Sequence, residues 1–358
     1  PTLAIGGLRT QMIDSISIAG KKIGPNSPCY VIAEVSANHN QDIEIAKETV
    51  RAAAEAGADA VKFQTYTPDT LTFDSDSEIF RIDHGTAWDG RTLHSIYSEG
   101  YMPWDWHAEL FELANSLGLA AFSSPFDSTA VDYLANLDVP AFKIASFEIV
   151  DIPLIQHVAR QGKPVLISTG IARKEDIEAA VAACREAGNP EIIVLKCTSA
   201  YPAPANELNL LTIPAITESF GVIAGYSDHT MTPTAAIAAV TLGARVIERH
   251  ITLDRGTGGL DAGFSTTAAE FKELVQQIRE TEEALGVVTF ELSAAGENTR
   301  RFSRSLFVTL DVKAGDLVTS DNLRSIRPND GLHPKLLPDL IGRTFSCDVT
   351  AGTPMSAD

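Results

Sequence analysis

From about residue 30 to residue 250, short apolar runs alternate eight times with longer amphipathic stretches, which is the pattern of repeated β/α units. The runs lie near 30–35, 59–64, 119–123, 140–145, 164–168, 191–196, 221–226 and 244–249. They are continuous rather than strictly alternating, as strands buried on both faces should be. Between them Glu44 to Ala56, Trp104 to Leu117, Lys174 to Ala187 and Pro233 to Leu242 have helical spacing, and Ala268 to Leu285 closes the set. Eight such units with right-handed crossovers predict an α/β fold, a (β/α)8 TIM barrel, whose strand carboxyl ends share one mouth.

One connection breaks the rhythm. Between Gln64 and Trp104 lies a long insertion, with Tyr66-Thr67-Pro68-Asp69-Thr70 and Trp88-Asp89-Gly90-Arg91 inside it, where short βα loops are the rule. On the mouth of a barrel such an insertion is a candidate substrate lid, and a plain surface excursion is the competing reading. After Gly286 the pattern changes to polar loop and short strands. The expected domains are therefore a barrel over 1–285 with an N-terminal β-hairpin at about 14–25, a linker over 286–303, and a small β-rich module over 304–358. Within that module Asp311-Val312-Lys313-Ala314-Gly315 recurs as Asp348-Val349-Thr350-Ala351-Gly352, and each copy reaches an aspartate six residues later, Asp321 and Asp358. The first copy continues through Asn322-Leu323-Arg324, so the second predicts a further strand past Asp358.

A formal charge of -19 disfavours nucleic acid and anionic membrane surfaces as partners, because both need dense Lys and Arg. No apolar run reaches membrane-spanning length, and Pro1 to Lys22 lacks the apolar core of a signal peptide. Cys29, Cys184, Cys197 and Cys347 are scattered with no CxxC pair, which points to a reducing cytoplasm rather than to a disulfide framework or a zinc knuckle. An anionic substrate must then be held by local lysines.

Polar residues at the ends of the apolar runs supply the candidates. His229 and His250 follow neighbouring runs in matching positions, so the expectation is an open divalent metal site, Mn²⁺ or Mg²⁺, with two imidazole ligands. Lys62, Lys143 and Lys196 end three runs, and buried ammonium groups there require an anion or carboxylate to meet them. They read as a phosphate or carboxylate clamp; a Schiff-base lysine is the competitor. Ser146, Ser168, Thr169, Ser199 and Ser227 are hydroxyl donors for such a clamp. Glu34, Glu148 and Asp261 are the acid/base carboxylates, Glu34 the strongest by position. Glu248 lies two residues before His250, on the same side of its strand, as a partner for that imidazole or for a lysine.

These residues stand in motifs. Ile32-Ala33-Glu34 with Asn38-His39, Ala58-Asp59-Ala60-Val61-Lys62-Phe63-Gln64, Ser123-Ser124-Pro125-Phe126, Lys143-Ile144-Ala145-Ser146-Phe147-Glu148, Ser168-Thr169-Gly170, Ser227-Asp228-His229 and Glu248-Arg249-His250 resemble the sialic acid synthase family through nearly the whole chain. Residues 304–358, with Arg304-Ser305-Leu306 and Arg327-Pro328, resemble that family's antifreeze-like (SAF) domain. Tyr66 to Thr72, Trp88 to Arg91, Pro103 to His107 and Gly331 to Lys335 are most similar to the pseudaminic acid branch of the family. The resemblance implies condensation of phosphoenolpyruvate with the open-chain aldehyde of an N-acetylated amino sugar, giving a nine-carbon 2-keto acid and phosphate. It implies that the metal on His229 and His250 polarises the aldehyde and that Glu34 steers or deprotonates water. It further implies that Lys62, Lys143, Ser146, Ser168, Ser199 and Ser227 hold phosphoenolpyruvate, while Gln64, Glu148, Tyr201 and Asp261 face the sugar or a metal-bound water. Ser199 is a departure, since relatives making N-acetylneuraminate often carry Asn there. Arg327 matches an arginine reaching from a partner's SAF domain, which implies a domain-swapped homodimer. Synthesis of N-acetylneuraminate or legionaminate, and a silent carbohydrate-binding scaffold, are the alternatives.

Overall fold

The computed structural model describes residues 14–83, 85 and 88–357. The expectations for Pro1 to Ile13 and for a strand past Asp358 lie outside the described residues. The chain divides into two compact units, Pro1–Gly286 and Val287–Asp358.

The first unit opens with a hairpin, β1 (Ile16–Ile18) and β2 (Lys21–Ile23), paired antiparallel. Its Ile16, Ile18 and Ile23 join the barrel's apolar core, and Lys21 Nζ lies 3.1 Å from Asp59 Oδ1 at the amino end of the second barrel strand. The hairpin therefore sits at the end of the barrel opposite the mouth. Eight parallel strands follow: β3 (Tyr30–Glu34), β4 (Ala60–Thr65), β5 (Ala120–Pro125), β6 (Phe142–Ile144), β7 (Val165–Ser168), β8 (Ile192–Cys197), β9 (Ile223–Asp228) and β10 (Val246–Thr252). Each pairs with the next, and β10 pairs back onto β3 in the register Val246↔Tyr30 through His250↔Glu34, so the barrel is closed. A two-residue strand, β11 (Thr266–Thr267), lies parallel to β10.

The strands form where the apolar runs predict them because both of their faces are buried. Two bounds shift. Strand β6 is only three residues, held between Pro140 and a tight turn over Ser146–Val150. Strand β10 runs on past Arg249 to Thr252, so His250 lies within a strand rather than after it. Gly225 has a steric reason: a Cβ there would stand 2.5 Å from Leu195 Cδ2 and 2.7 Å from the Val246 carbonyl, so β8 and β10 close on β9 only with glycine between them. The helix expected from Trp104 starts with a tight turn after Pro103 and is α-helical only over His107–Ser116.

Between β4 and the Trp104 turn, the insertion folds into a short helix (Pro68–Leu71), a small antiparallel loop bridged at Arg81 and Thr92, and a helix over Leu93–Gly100. That last helix docks at the mouth. At Gly100 an added Cβ would lie 3.0 Å from Leu260 Cδ1, 3.2 Å from the Tyr66 hydroxyl and 3.3 Å from Ala37 Cβ, residues that follow β10, β4 and β3.

The second unit begins with the stretch expected as a linker, and it is not structureless. Residues Ala294–Arg300 form a helix capped by Ser293, whose hydroxyl accepts from the Gly296 N–H. Strands β12 (Ser305–Val308) and β13 (Leu323–Ile326) pair antiparallel over a core of Leu306, Val308, Val312, Val318, Leu323 and Phe345. The two sequence copies meet here. Val312 and Val349 exchange both backbone hydrogen bonds, at 2.9 and 3.0 Å. Asp311 accepts from the Ala351 N–H at 2.7 Å and Asp348 from the Ala314 N–H at 3.0 Å, a reciprocal exchange between copies.

Candidate active site at the barrel mouth

The parallel register brings the polar strand ends to one level. Glu34 pairs in register with Lys62 on one side and with His250 on the other, and Glu248 pairs with Ser227. Lys62 Nζ lies 2.7 Å from Glu34 Oε2 and 3.8 Å from Glu248 Oε2, while Lys143 Nζ lies 3.7 Å from Glu248 Oε1. All four side chains are buried. Two ammoniums and two carboxylates thus neutralise one another inside the barrel, which is what keeps buried charge tolerable. Ser124 accepts from Lys62 Nζ at 3.3 Å, and Ser227 donates to Glu248 at 3.0 Å.

The two carboxylates differ. Burial pushes the Glu34 carboxyl up to about 7, against the pull of the Lys62 ammonium. Burial acts on Glu248 in the same sense, but Lys143 and Lys62 outweigh it and hold that group below the ordinary glutamate value. A pair of acids pushed apart by surroundings is the arrangement that acid/base catalysis uses. Burial also disfavours the Lys62 ammonium, yet Glu248 and Glu34 keep its pKa above the usual lysine range. Lys143, with burial dominant, is lowered. Lys196 turns to its own strand, donating to the Cys197 carbonyl at 2.8 Å, and among the described residues it enters none of these ion pairs. The structure thus brings Lys62 and Lys143 together with the two carboxylates, and Lys196 apart from them.

Gln64 donates to Glu34 Oε1 and to Ser36 Oγ, both at 3.0 Å, and Ser36 in turn donates to Asp261 Oδ2. This chain links Asp261 to Glu34 across β3. Asp261 is also 3.9 Å from His250 Nδ1, so the glycine-rich loop does deliver its aspartate to the mouth. On the other side, Ser199 donates to Ser146 at 2.9 Å, and the pair rests on Gly170: a Cβ there would stand 2.0 Å from Ser199 Oγ and 2.4 Å from Ser146 Oγ. Ser168 Oγ and Glu148 Oε2 are buried without a hydrogen-bond partner among the described residues. Burial pushes the Glu148 carboxyl to about 7. Burial also raises the Tyr97 phenol, and the Glu148 charge adds to the effect; the Tyr97 ring packs edge-on to Tyr66 at 5.8 Å.

His229 and His250 lie with ring centroids 5.4 Å apart, walled by Tyr201 at 4.4 Å from His229 and by Phe264 at 5.3 Å from His250. His229 Nδ1 contacts the Thr198 carbonyl at 2.9 Å. A carbonyl only accepts, so Nδ1 carries the proton and Nε2 keeps its lone pair for a metal. His250 Nδ1 is buried without a hydrogen-bond partner among the described residues. Burial, then the neighbouring positive groups, hold this imidazole far below its ordinary pKa, hence neutral. The pair therefore fits a divalent metal. Among the described residues no cluster of three or more His, Cys, Asp and Glu is placed to enclose an ion, so the site would be open to water and substrate oxygens.

Residues 49–289 match the model of the NeuB family. The chain belongs to the NeuB family. A SAF domain model matches residues 303–358. A NeuB relative named pseudaminic acid synthase, from Helicobacter pylori, is 45% identical over 92% of this chain and 97% of its own length. An N,N'-diacetyllegionaminic acid synthase from Legionella pneumophila is 36% identical over 93% of this chain and 95% of its own. The crystal structure of an N-acetylneuraminic acid synthetase from Leptospira borgpetersenii, in complex with citrate, superposes with a TM-score of 0.72 at 29% identity, covering 81% of this chain and 96% of that one.

Ser36, Tyr97 and Phe264 join the NeuB mouth unforeseen. Ser124 had a signal in its motif with Ser123, but which of the two serines meets a lysine depends on the pleat of β5. Tyr97 sits on the insertion's Leu93–Gly100 helix and Phe264 in a turn after β10, and no strand pattern locates either. Arg327 is exposed, one residue beyond β13 in the second unit.

Proposed function

We propose that this chain is a pseudaminic acid synthase, joining phosphoenolpyruvate to 2,4-diacetamido-2,4,6-trideoxy-L-altrose with water to give pseudaminic acid and phosphate. The observation that carries this reading is the pair of buried ammoniums, Lys62 and Lys143, held beside Glu34 at the same mouth as His229 and His250. Its sugar is argued from the pseudaminic acid synthases at 42 to 45% identity over nearly the whole chain.

Phosphoenolpyruvate brings a carboxylate and a phosphate into a site whose lysines now spend their charge on Glu34 and Glu248. Lys62 and Lys143 bind these anions, and Ser146, Ser168, Ser199 and Ser227 supply hydroxyls around them. Gln64, Glu148, Tyr201 and Asp261 face the sugar, with the Leu93–Gly100 helix as the lid that excludes water. Mn²⁺ or Mg²⁺ on His229 and His250 would supply Lewis-acid polarisation of the aldehyde oxygen. C3 of phosphoenolpyruvate bonds to the aldehyde carbon, whose oxygen is left as an alkoxide that takes up the C2 hydroxyl's proton when the ketone later forms, and C2 is left cationic. Water adds to C2 and gives its proton to Glu34, held for that task by Lys62 and Gln64. The C2–O bond to phosphate then breaks, phosphate leaves with the electron pair, and the 2-keto group forms.

Arg327 acts on the N-acetyl group from a partner subunit in a domain-swapped homodimer. The cytoplasm is the compartment, a reading supported by four unpaired cysteines and by the lack, among the described residues, of any helix long and apolar enough to cross a membrane. The test is phosphate release from phosphoenolpyruvate with Mn²⁺, with the altrose sugar, its legionaminate-pathway isomer and N-acetylmannosamine as acceptors. Turnover mainly with the altrose sugar is expected. Preference for another acceptor moves the chain to the legionaminate or N-acetylneuraminate reaction, and no release with any acceptor leaves a binding scaffold.

A further inference from the structure

Each of the two imidazoles follows directly on a buried charge of the opposite face. Asp228 precedes His229 and Arg249 precedes His250, and Asp228 and Arg249 are partners in the register of β9 and β10. On β10 the side chains alternate, so Glu248 and His250 face one way and Arg249 the other. Glu248 meets Ser227 and the lysines on its face. On the far face Arg249 Nη1 lies 2.8 Å from Asp228 Oδ2, with side chains 4% and 0% exposed.

The guanidinium does more than close an ion pair. Nη1 also donates to the Thr232 carbonyl at 3.0 Å, Nη2 to the Thr230 carbonyl, and Nε to Thr266 Oγ1 on β11. Asp228 uses its other oxygen to accept from the Thr230 N–H at 2.9 Å, and Thr230 Oγ1 donates to the Thr232 carbonyl at 3.0 Å. Residues 228–232 are thus wrapped around one planar cation, with His229 inside the wrap. A lysine cannot reproduce this, because only the guanidinium presents donors in a fixed fork to several acceptors at once.

We infer that Arg249 is a positioning residue for the metal site: with Asp228 and Thr266 it fixes the loop bearing His229 against the strand bearing His250, and so sets the spacing of the two imidazoles. The inference rests on the reading of His229 and His250 as metal ligands. Groups that orient ligands from outside the coordination sphere typically cost 10- to 100-fold in metal affinity when altered. A guanidinium one residue from each ligand by pairing, and bonded to three backbone or side-chain oxygens around one of them, is placed to have that effect.

The test uses the full chain and Mn²⁺ alone, with affinity read by electron paramagnetic resonance, alongside the visible spectrum of the Co²⁺-loaded protein and the melting temperature without metal. R249K is the first variant. D228N, which keeps the Thr230 hydrogen bond but loses the charge, and T266V, which removes one anchor without touching the ion pair, cover the case in which R249K does not fold. Expected are Mn²⁺ dissociation constants raised about tenfold or more in R249K and D228N and about threefold in T266V, with a changed Co²⁺ spectrum in each folded variant. kcat should fall while KM for phosphoenolpyruvate stays near the parental value. Parental Mn²⁺ affinity and Co²⁺ spectrum in the folded variants, with only the melting temperature lowered, would overturn the inference and leave a structural pair. Failure of the underlying reading looks different: the parent itself, or H229A and H250A against it, would show no His-dependent Mn²⁺ binding, and the inference would fall with it.

Discussion

Lys62 and Glu34 form the shortest ion pair of the described barrel mouth, 2.7 Å between Nζ and Oε2, with side chains 5% and 1% exposed. In the proposed reaction the ammonium and the water-activating carboxylate hold each other in place. Replacing one strands the other in a low-dielectric site. K62M is expected to lose about 3–5 kcal/mol of stability, since it leaves two buried carboxylates to Lys143 alone. E34Q, which keeps shape and the Gln64 contact, should stay folded and lose about 10²- to 10⁴-fold in kcat. Chemical denaturation and phosphate-release assays separate the two effects.

Glu148 gives a pH signature. Burial raises its carboxyl from 4.5 to about 7 in the folded chain, so between those values the folded state binds the proton more than the unfolded state does. Its contribution to stability is therefore full below pH 4.5 and is lost as pH rises through about 7. E148Q should flatten that fall, read as the difference in denaturation free energy between variant and parent across the window. An unchanged slope would remove Glu148 as its source.

Gly170 is a third test. Alanine there drives a methyl into the Ser146 and Ser199 hydroxyls, which must rotate or shift. G170A is expected to cost about 1–3 kcal/mol and to raise KM for phosphoenolpyruvate more than it lowers kcat. A parental KM would place the phosphate elsewhere.

The His229 and His250 pair predicts metal-linked stability. Mn²⁺ at a hundredfold excess over its dissociation constant should stabilise the parent by about 2.7 kcal/mol, and a chelator should reverse the gain. H229A and H250A should each abolish the increment and turnover together. An increment retained in both would sink the ligand assignment.

Arg327 can be tested in trans. R327A and K62M chains, each impaired alone, are mixed and allowed to exchange subunits. If the arginine serves the partner's barrel, heterodimers contain one intact site, and about a quarter of parental activity should return. No recovery despite exchange, or a monomeric mass by light scattering, would contradict the swapped dimer.

How much of this was legible in the sequence follows from what a strand can advertise. Buried parallel strands need apolar residues on both faces, so β3 to β10 stand out as runs, and a lysine or histidine ending one stands out with them. What a run cannot show is its neighbour across the barrel. That Glu248 spends its charge on Lys62 and Lys143 rather than on an imidazole, and that Lys196 turns away, depends on register and pleat. Asp261 reads as an ordinary loop aspartate until closure of the barrel brings Ser36 and His250 beside it. The helix at Ala294–Arg300 was hidden for another reason: none of its residues is buried, so it carries no apolar stripe to betray it.

The exchanged aspartates of the second unit have a consequence for how that module fails. Asp311 caps the backbone of the later copy and Asp348 that of the earlier one, so neither turn can open without breaking a hydrogen bond to its twin. The described core of the module is small, Leu306, Val308, Val312, Val318, Leu323 and Phe345 with a few partly buried neighbours, so it gives little support to a half-melted form. It should come apart in one step rather than fray, and the chain that leads from β13 into Arg327 is then carried on a stiff mount, not at the end of a floppy tether.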